Sequence, residues 1–227
     1  MNAVLLDIEG TTTSISFVFD VLFPFAAKAI PDFLRQHATR PDMAATIALI
    51  LKDALPTELG QTPDANALAV VQRQMAGDIK ATGLKQLQGL VWQYGYENGQ
   101  IKGHVFADVP ERFTNWRNTN RPVAIYSSGS RLAQQLLFRH SIAGDLTSGI
   151  AGYYDTTSGP KREAASYQAI ATAWGIPAKD ITFCTDQPAE ADAALTAGMR
   201  TAVIMRPGNA PLPANLAHPV FADLNKI

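Results

Sequence analysis

Short apolar runs, most of them ending in a chemically active side chain, alternate with helical patterns along this chain. That alternation constrains its fold more than any other feature. The runs are AVLLD (3–7), PVAIYSS (122–128), ITFCTD (181–186) and TAVIMRP (201–207), with a weaker fifth, GIAGYYD (149–155). Runs this short and this continuously apolar suit parallel strands covered on both faces. Between them the spacing predicts helices over Asp108 to Thr119, Arg131 to His140, Arg162 to Trp174 and Ala189 to Ala197. Strand alternating with helix predicts an α/β fold with a doubly wound parallel sheet as its core.

The stretch from about Ser16 to Gly99 follows a different pattern. It holds no convincing strand but several helical segments, among them FVFDVLF, ATIALILKDAL, ALAVVQRQMAGDIK and LKQLQGLVWQYGYE. Pro24, Pro31 and Pro41 are expected to start or kink helices, and LPTELGQTPD is expected to be a loop. The expected organisation is therefore a core of residues 1–15 plus 101–227, with a helical cap, residues 16–100, inserted after the first strand.

Bulk properties exclude several classes. Hydrophobic residues make up 47% of the 227 and charged residues 17%, enough apolar material for a core. The formal net charge of −1 argues against nucleic acid or an anionic membrane as partner, since both favour a basic face. The run AVLL lacks the basic leader and the length of a signal peptide, and no segment reaches the roughly 20 apolar residues of a membrane span. A single cysteine, Cys184, cannot form an internal disulfide, and the four histidines lack metal-ligand spacing. The expectation is a soluble cytoplasmic protein, and with no coiled-coil pattern, a monomer.

Open α/β sheets place ligands outside the carboxyl ends of their strands. There this chain carries Asp7 after AVLL, Ser127 and Ser128 after VAIY, and Asp186 after TFCT, while Lys161 is expected to begin a helix after TTSGP. Their chemistry fits phosphoryl transfer. A phosphate ester carries about two negative charges that repel an attacking carboxylate, and a magnesium ion held by one or two carboxylates removes that obstacle. Asp7 and Asp186 could supply those ligands, and Asp7 could then attack phosphorus to form an aspartyl-phosphate. Ser127 and the amides around Ser128 and Gly129 could donate to phosphoryl oxygens, and Lys161 would neutralise spreading charge. Asp7 and Glu9, two apart, face one side of an extended backbone. Glu9 is thus a candidate general acid or base, or a contact to metal-bound water, and its carbonyl or that of Ile8 could reach the metal. Gly10 lets the chain turn where a side chain would block a ligand.

Taken singly, each residue has a plainer explanation. Asp7 could cap a turn, Ser127-Ser128 the helix near Arg131, and Asp186 the next helix; Lys161 could be a solvated lysine, and Cys184 a buried thiol. Only their joint order at strand ends favours chemistry.

That joint pattern resembles the haloacid dehalogenase superfamily, whose members carry a nucleophilic aspartate after the first strand, a Ser or Thr after the second, a Lys, and a final acidic strand end. Most of its phosphatases have D-x-D at the first motif, where this chain has Asp7-Ile8-Glu9. The stretch DIEGTTTSISFVFDVLFPFA (7–26) is similar to the first motif of the enolase-phosphatase family, E1, of methionine salvage. So are LKQLQGLVW (84–92), IYSSGSRLAQQLLF (125–138), HSIAGDL (140–146), TDQPAEADAALTAG (185–198) and VIMRPGN (203–209).

The resemblance implies a haloacid dehalogenase-like core with an inserted helical cap. It also implies an enzyme that enolises 2,3-diketo-5-methylthiopentyl-1-phosphate and then removes its phosphate to give the acireductone 1,2-dihydroxy-3-keto-5-methylthiopentene. It implies Mg2+ held by Asp7, Glu9 (through its backbone carbonyl) and Asp186, with catalysis by Asp7, Glu9 and Lys161. Substrate phosphate would be bound by Ser127, Ser128 and Lys161. Gln88 and Trp92 are candidate contacts to the diketone or methylthio group, with packing of an amphipathic helix as the alternative. Phe19, Phe25, Cys184 and Gln187-Pro188 depart from the family pattern without removing a group of assigned role. Two further readings compete: a small-metabolite phosphatase of the same superfamily without the enolase step, and a phospho-acceptor signalling domain. The first-strand position of Asp7 and the large cap argue against the second of these.

Overall fold

Each apolar run becomes a short strand, fully buried along AVLL and VAIY and only half-buried along GYY. The computed structural model describes residues 2–227. After β1 (Ala3–Leu6) the chain enters α1 (Phe23–His37), α2 (Pro41–Leu51), α3 (Pro63–Ala76) and α4 (Thr82–Glu97). It continues through α5 (Asp108–Asn118), β2 (Val123–Tyr126), α6 (Arg131–Arg139), β3 (Gly152–Tyr154) and α7 (Ala164–Trp174). The last elements are β4 (Ile181–Thr185), α8 (Pro188–Thr196), β5 (Arg200–Ile204) and β6 (Val220–Phe221). Among the described residues six parallel strands form one sheet in the order β3-β2-β1-β4-β5-β6. The doubly wound parallel sheet expected from the alternation is thus present. β6, only two residues long beside Val203 and Ile204, was not foreseen, because two residues carry no periodicity.

β1 lies between β2 and β4, so the chain winds first toward one edge of the sheet and then toward the other. That reversal opens a crevice at the strand carboxyl ends beside β1, where Asp7 and Asp186 emerge. Ala3, Val4, Leu5 and Leu6 are all fully buried, as a central parallel strand covered on both faces requires. On one face Leu5, Tyr126 and Phe183 pack with Tyr167 and Ile170 of α7 and Ala194 of α8. The alternate residues Val4, Leu6, Val123 and Ile125 are buried too, and Phe113 of α5 meets Phe138 of α6 with ring centroids 5.9 Å apart.

The chain divides into two compact units, Met1–Val18 with Lys102–Ile227, and Phe19–Ile101. The second is all-helical among its described elements, and its core follows 3- and 4-residue spacings such as Met43, Ile47 and Ile50, or Leu84, Leu87 and Val91. Phe17–Leu22 forms a π-helical turn leading into α1. Pro24 and Pro41 sit in first turns, where the missing N–H costs nothing, whereas Pro31 lies inside α1. The expected loop LPTELGQTPD includes a 3₁₀ turn at Pro56–Glu58, and its last two residues open α3. Trp92 donates its indole N–H to the Leu22 carbonyl at 2.8 Å and lies 6.0 Å from the Phe23 ring; Gln88 is buried on the same helix. Among the described residues no helix is long and apolar enough to cross a membrane.

Candidate active site

β1 ends at Leu6, and the next residues fold back at once. The Ile8 carbonyl accepts amide hydrogens from Thr11, Thr12 and Thr13 at 3.1, 2.9 and 3.0 Å, winding residues 8–13 into one tight turn. Gly10 sits in that turn at φ +71°, a left-handed conformation that costs glycine nothing. The turn engages the Ile8 carbonyl fully, while among the described residues the Glu9 carbonyl accepts no hydrogen bond. Of the two carbonyls considered for a metal, only that of Glu9 is uncommitted.

Asp7 is buried at the mouth of the sheet and donates its amide to the Cys184 carbonyl of β4 at 2.9 Å. Its Oδ1 accepts the Ile8 amide at 2.7 Å and pairs with the Lys161 ammonium at 2.7 Å. Its Oδ2 lies 3.2 Å from the Thr185 hydroxyl, which also lies 3.0 Å from Glu190 Oε2; one proton serves one carboxylate at a time. Lys161 was expected to begin a helix, but it occupies a turn, and α7 starts only at Ala164. Tyr167 of α7 donates to the Lys161 carbonyl at 2.7 Å and so fixes that turn. The ammonium also meets Glu190 Oε2 at 2.7 Å. Burial pulls the Lys161 pKa down, but the charges and hydrogen bonds of Asp7 and Glu190 outweigh it and hold the group above the usual lysine range.

Ser127 follows β2, accepts the Gly129 amide at 3.1 Å and donates to Glu9 Oε2 at 3.3 Å. The cap of α6 is Ser130, which accepts the Ala133 amide at 3.3 Å, so the capping explanation for Ser127-Ser128 does not hold. Ser128 is exposed. Asp186 does not cap α8 either; the cap position is Gln187, whose side chain donates to Asp186 Oδ2 at 2.8 Å. A Cβ on Gly10 would lie 2.6 Å from that same Asp186 oxygen, so the Asp186 carboxylate packs against bare glycine. The structure therefore joins Asp7 to Lys161, Glu9 to Ser127, and Asp186 to the Gly10 turn.

Asp7, Glu9, Asp186 and Glu190 set four carboxyl groups against one ammonium. Burial and then the Asp7 charge push Asp186 up to about 6 and raise Glu9 above its ordinary value. Glu190 is pushed up to about 7, by burial first and then Asp7, with Lys161 opposing. This surplus of negative oxygen suits a hard divalent cation. Among the described residues no three His, Cys, Asp or Glu side chains form a metal cluster. Two carboxylates and the Glu9 carbonyl are a donor set of another kind, one that magnesium accepts because it retains waters. Burial pushes Cys184 up to about 12, which makes it an inert core thiol.

Sequence reasoning missed Glu190, Thr185, Arg206 and Asn209. The spacing Asp186-x-x-x-Glu190 across a helix opening was a legible signal for Glu190. Arg206 and Asn209 lie in VIMRPGN, a motif noted without roles.

Residues 1–198 match the family described as haloacid dehalogenase-like hydrolase. Enolase-phosphatase E1 of Pseudomonas aeruginosa is 48% identical over 227 residues, 99% of this chain and 98% of that protein. The chain belongs to the enolase-phosphatase E1 family. Another enolase-phosphatase E1, that of Synechococcus elongatus, is 47% identical over 92% of this chain and 91% of its own length. The crystal structure of the UTR4 protein from Saccharomyces cerevisiae is 36% identical, with TM-score 0.84, covering 100% of this chain and 99% of that one. Membership in enolase-phosphatase E1 and in the wider haloacid dehalogenase-like family agrees with the first-strand Asp7 and the acidic end of β4.

Proposed function

We propose that this chain is a magnesium-dependent enolase-phosphatase of methionine salvage. It enolises 2,3-diketo-5-methylthiopentyl-1-phosphate, then hydrolyses the phosphate to yield 1,2-dihydroxy-3-keto-5-methylthiopentene. The observation that carries the reading is the buried Asp7 carboxylate, 2.7 Å from the Lys161 ammonium and amid surplus carboxylates. A bound magnesium ion, held by Asp7, Asp186 and the Glu9 carbonyl, supplies charge neutralisation between carboxylate and phosphate.

Asp7 attacks phosphorus; a P–O bond forms as the ester P–O bond breaks, and the enolate oxygen leaves with its electron pair. Glu9, raised by burial and by Asp7, is suited to hold the proton that oxygen takes up. Water then cleaves the aspartyl-phosphate and frees phosphate. Ser127, Ser128 and Lys161 hold the phosphoryl oxygens, with Glu190 and Thr185 orienting Lys161 and Asp7. The helical segment serves as a cap module. The reading extends to a monomer working in the cytoplasm, supported by the near-neutral net charge and the single buried cysteine.

The test supplies the diketo-phosphate and magnesium and follows enediol absorbance and phosphate release together. The enol signal is expected to precede phosphate. Phosphate without a preceding enol would reduce the activity to that of a plain phosphatase.

A further inference from the structure

The turn that carries Glu9 is tied from outside at successive carbonyls. Asn209 donates to the Gly10 carbonyl at 2.9 Å, Arg206 Nε to the Thr11 carbonyl at 3.0 Å, and the Phe106 amide to the Thr12 carbonyl at 3.0 Å. The outgoing end, Thr13 and Ser14, rests on one imidazole. His104 Nδ1 lies 3.0 Å from the Thr13 hydroxyl and 3.1 Å from the Ser14 amide nitrogen. A backbone amide can only donate, so Nδ1 is the acceptor and carries no proton. The hydrogen of the neutral ring is therefore on Nε2. The Thr13 hydroxyl, able to donate or accept, serves as a second donor to the same nitrogen.

Thr13 closes the turn. Its carbonyl accepts the Gly10 amide at 2.8 Å and its amide donates to the Ile8 carbonyl at 3.0 Å, so the two bonds flank Glu9. The chain leaves the first compact unit at Val18 and re-enters it at Lys102. His104 thus joins the outgoing segment to the returning one.

The groups that touch the ring are uncharged. Phe17 lies 6.2 Å away and Phe106 5.1 Å away, edge-on, between ring centroids. Beyond them Arg206 stacks on Phe106, 4.3 Å from its centroid, and is paired with Asp108. Lys102, on the segment of His104 itself, is exposed. Burial alone moves the His104 pKa, and it does so downward from the ordinary imidazole value. In acid, a proton on Nδ1 would face the Ser14 N–H, donor against donor, and that bond is lost.

We infer that neutral His104 is a positioning residue for the phosphatase site, its bare Nδ1 holding Thr13 and Ser14 so that the turn keeps Glu9 in place beside Asp7, and that acid releases this tie. The inference rests on the catalytic reading of Asp7 and Glu9 proposed above.

The test pairs His104→Asn, whose Oδ1 takes the place of Nδ1 and does not titrate, with His104→Leu, which offers no acceptor. At pH 8 the asparagine chain should release phosphate from the diketo-phosphate within about threefold of the native rate, and the leucine chain roughly tenfold more slowly or worse. Carboxylate ionisations act alike on the native and asparagine chains, so the ratio of their rates isolates His104. As pH is lowered to 5, the native chain should lose rate relative to the asparagine chain, with the midpoint at the His104 pKa read from its imidazole resonances. A ratio independent of pH, or a leucine chain as fast as native at pH 8, would overturn the inference. Should the leucine chain not fold, the ratio decides. Imidazole 15N shifts of the native chain read the tie without turnover: a bare Nδ1 is expected at pH 8, and an Nδ1–H tautomer refutes it. If the native chain leaves the diketo-phosphate untouched, the proposed substrate fails; the rates are then compared on an aryl phosphate, and the same ratios decide.

Discussion

Gly10→Ala separates backbone strain from loss of function at a single position. The backbone at residue 10 has φ +71°, and an alanine held there costs about 1–2 kcal/mol. Alanine also restricts the unfolded chain, which returns about 0.4–1 kcal/mol, so the net loss of stability is about 1 kcal/mol. For a chain of this size that lowers the melting temperature by roughly 2–4 °C. The new methyl would lie 2.6 Å from Asp186 Oδ2, where ordinary contact begins at 3.4 Å. The carboxylate must therefore withdraw by about 0.8 Å, and a displacement of about 1 Å in an active site can cost 10²-fold in rate. The expected variant is folded, slightly less stable, and roughly 10- to 100-fold slower in phosphate release, with weaker Mg2+ binding. Thermal melting, steady-state kinetics and Mg2+ titration measure the three effects. Activity and Mg2+ affinity within threefold of the native values would refute the packing of Asp186 against Gly10 as a functional contact.

Asp7→Asn should lower phosphate release by roughly 10³-fold or more while the chain still melts cooperatively; retained turnover would remove Asp7 as nucleophile. Asp186 has its carboxyl raised from 3.8 to about 6, so between those pH values the folded state holds a proton that the unfolded state has released. Metal-free stability thus falls as pH rises through that window, and the cost is complete above it. Asp186→Asn in chelator should then be more stable than the native chain at pH 8, by about 1–2 kcal/mol after solvent screening, and the gap should narrow below pH 6 and close only below the unfolded value of 3.8. A lower melting temperature for Asp186→Asn at pH 8 would contradict carboxylate repulsion. Arg206→Leu should cost about 2–3 kcal/mol, or roughly 4–12 °C, because Asp108, part-buried and gripped at 2.8 Å by both guanidinium nitrogens, would keep only the Leu224 amide. Arg206→Lys should restore only part of this, since one ammonium cannot reproduce the two-pronged contact. A melting temperature within 2 °C of native for the leucine variant would refute the pair as structural.

The sheet was legible in the sequence because AVLL and VAIY are buried on both faces, and such strands admit almost only apolar residues. The helical insertion was legible because Met43, Ile47 and Ile50, like Leu84, Leu87 and Val91, repeat at helical spacing. Asp7, Ser127 and Asp186 were readable as strand-end residues, Glu9 by its two-residue spacing from Asp7, and Lys161 by its place after TTSGP. What sequence could not decide was which groups touch. Ser127 and Ser128 are neighbours of identical chemistry, yet one is buried against Glu9 and the other is exposed. The helix start moved from Lys161 to Ala164 because the lysine is drawn into a buried pair with Asp7 and Glu190, which no local propensity encodes. Asn209 reads as an ordinary loop residue, and Glu190 is marked only by its spacing from Asp186, until folding sets Glu190 2.7 Å from Lys161 and Asn209 against Gly10, 199 residues away. Burial patterns are written residue by residue along the chain, so sequence determined the elements and their order. Charge pairing and amide orientation depend on groups brought together across the sheet, so only the tertiary structure decided them.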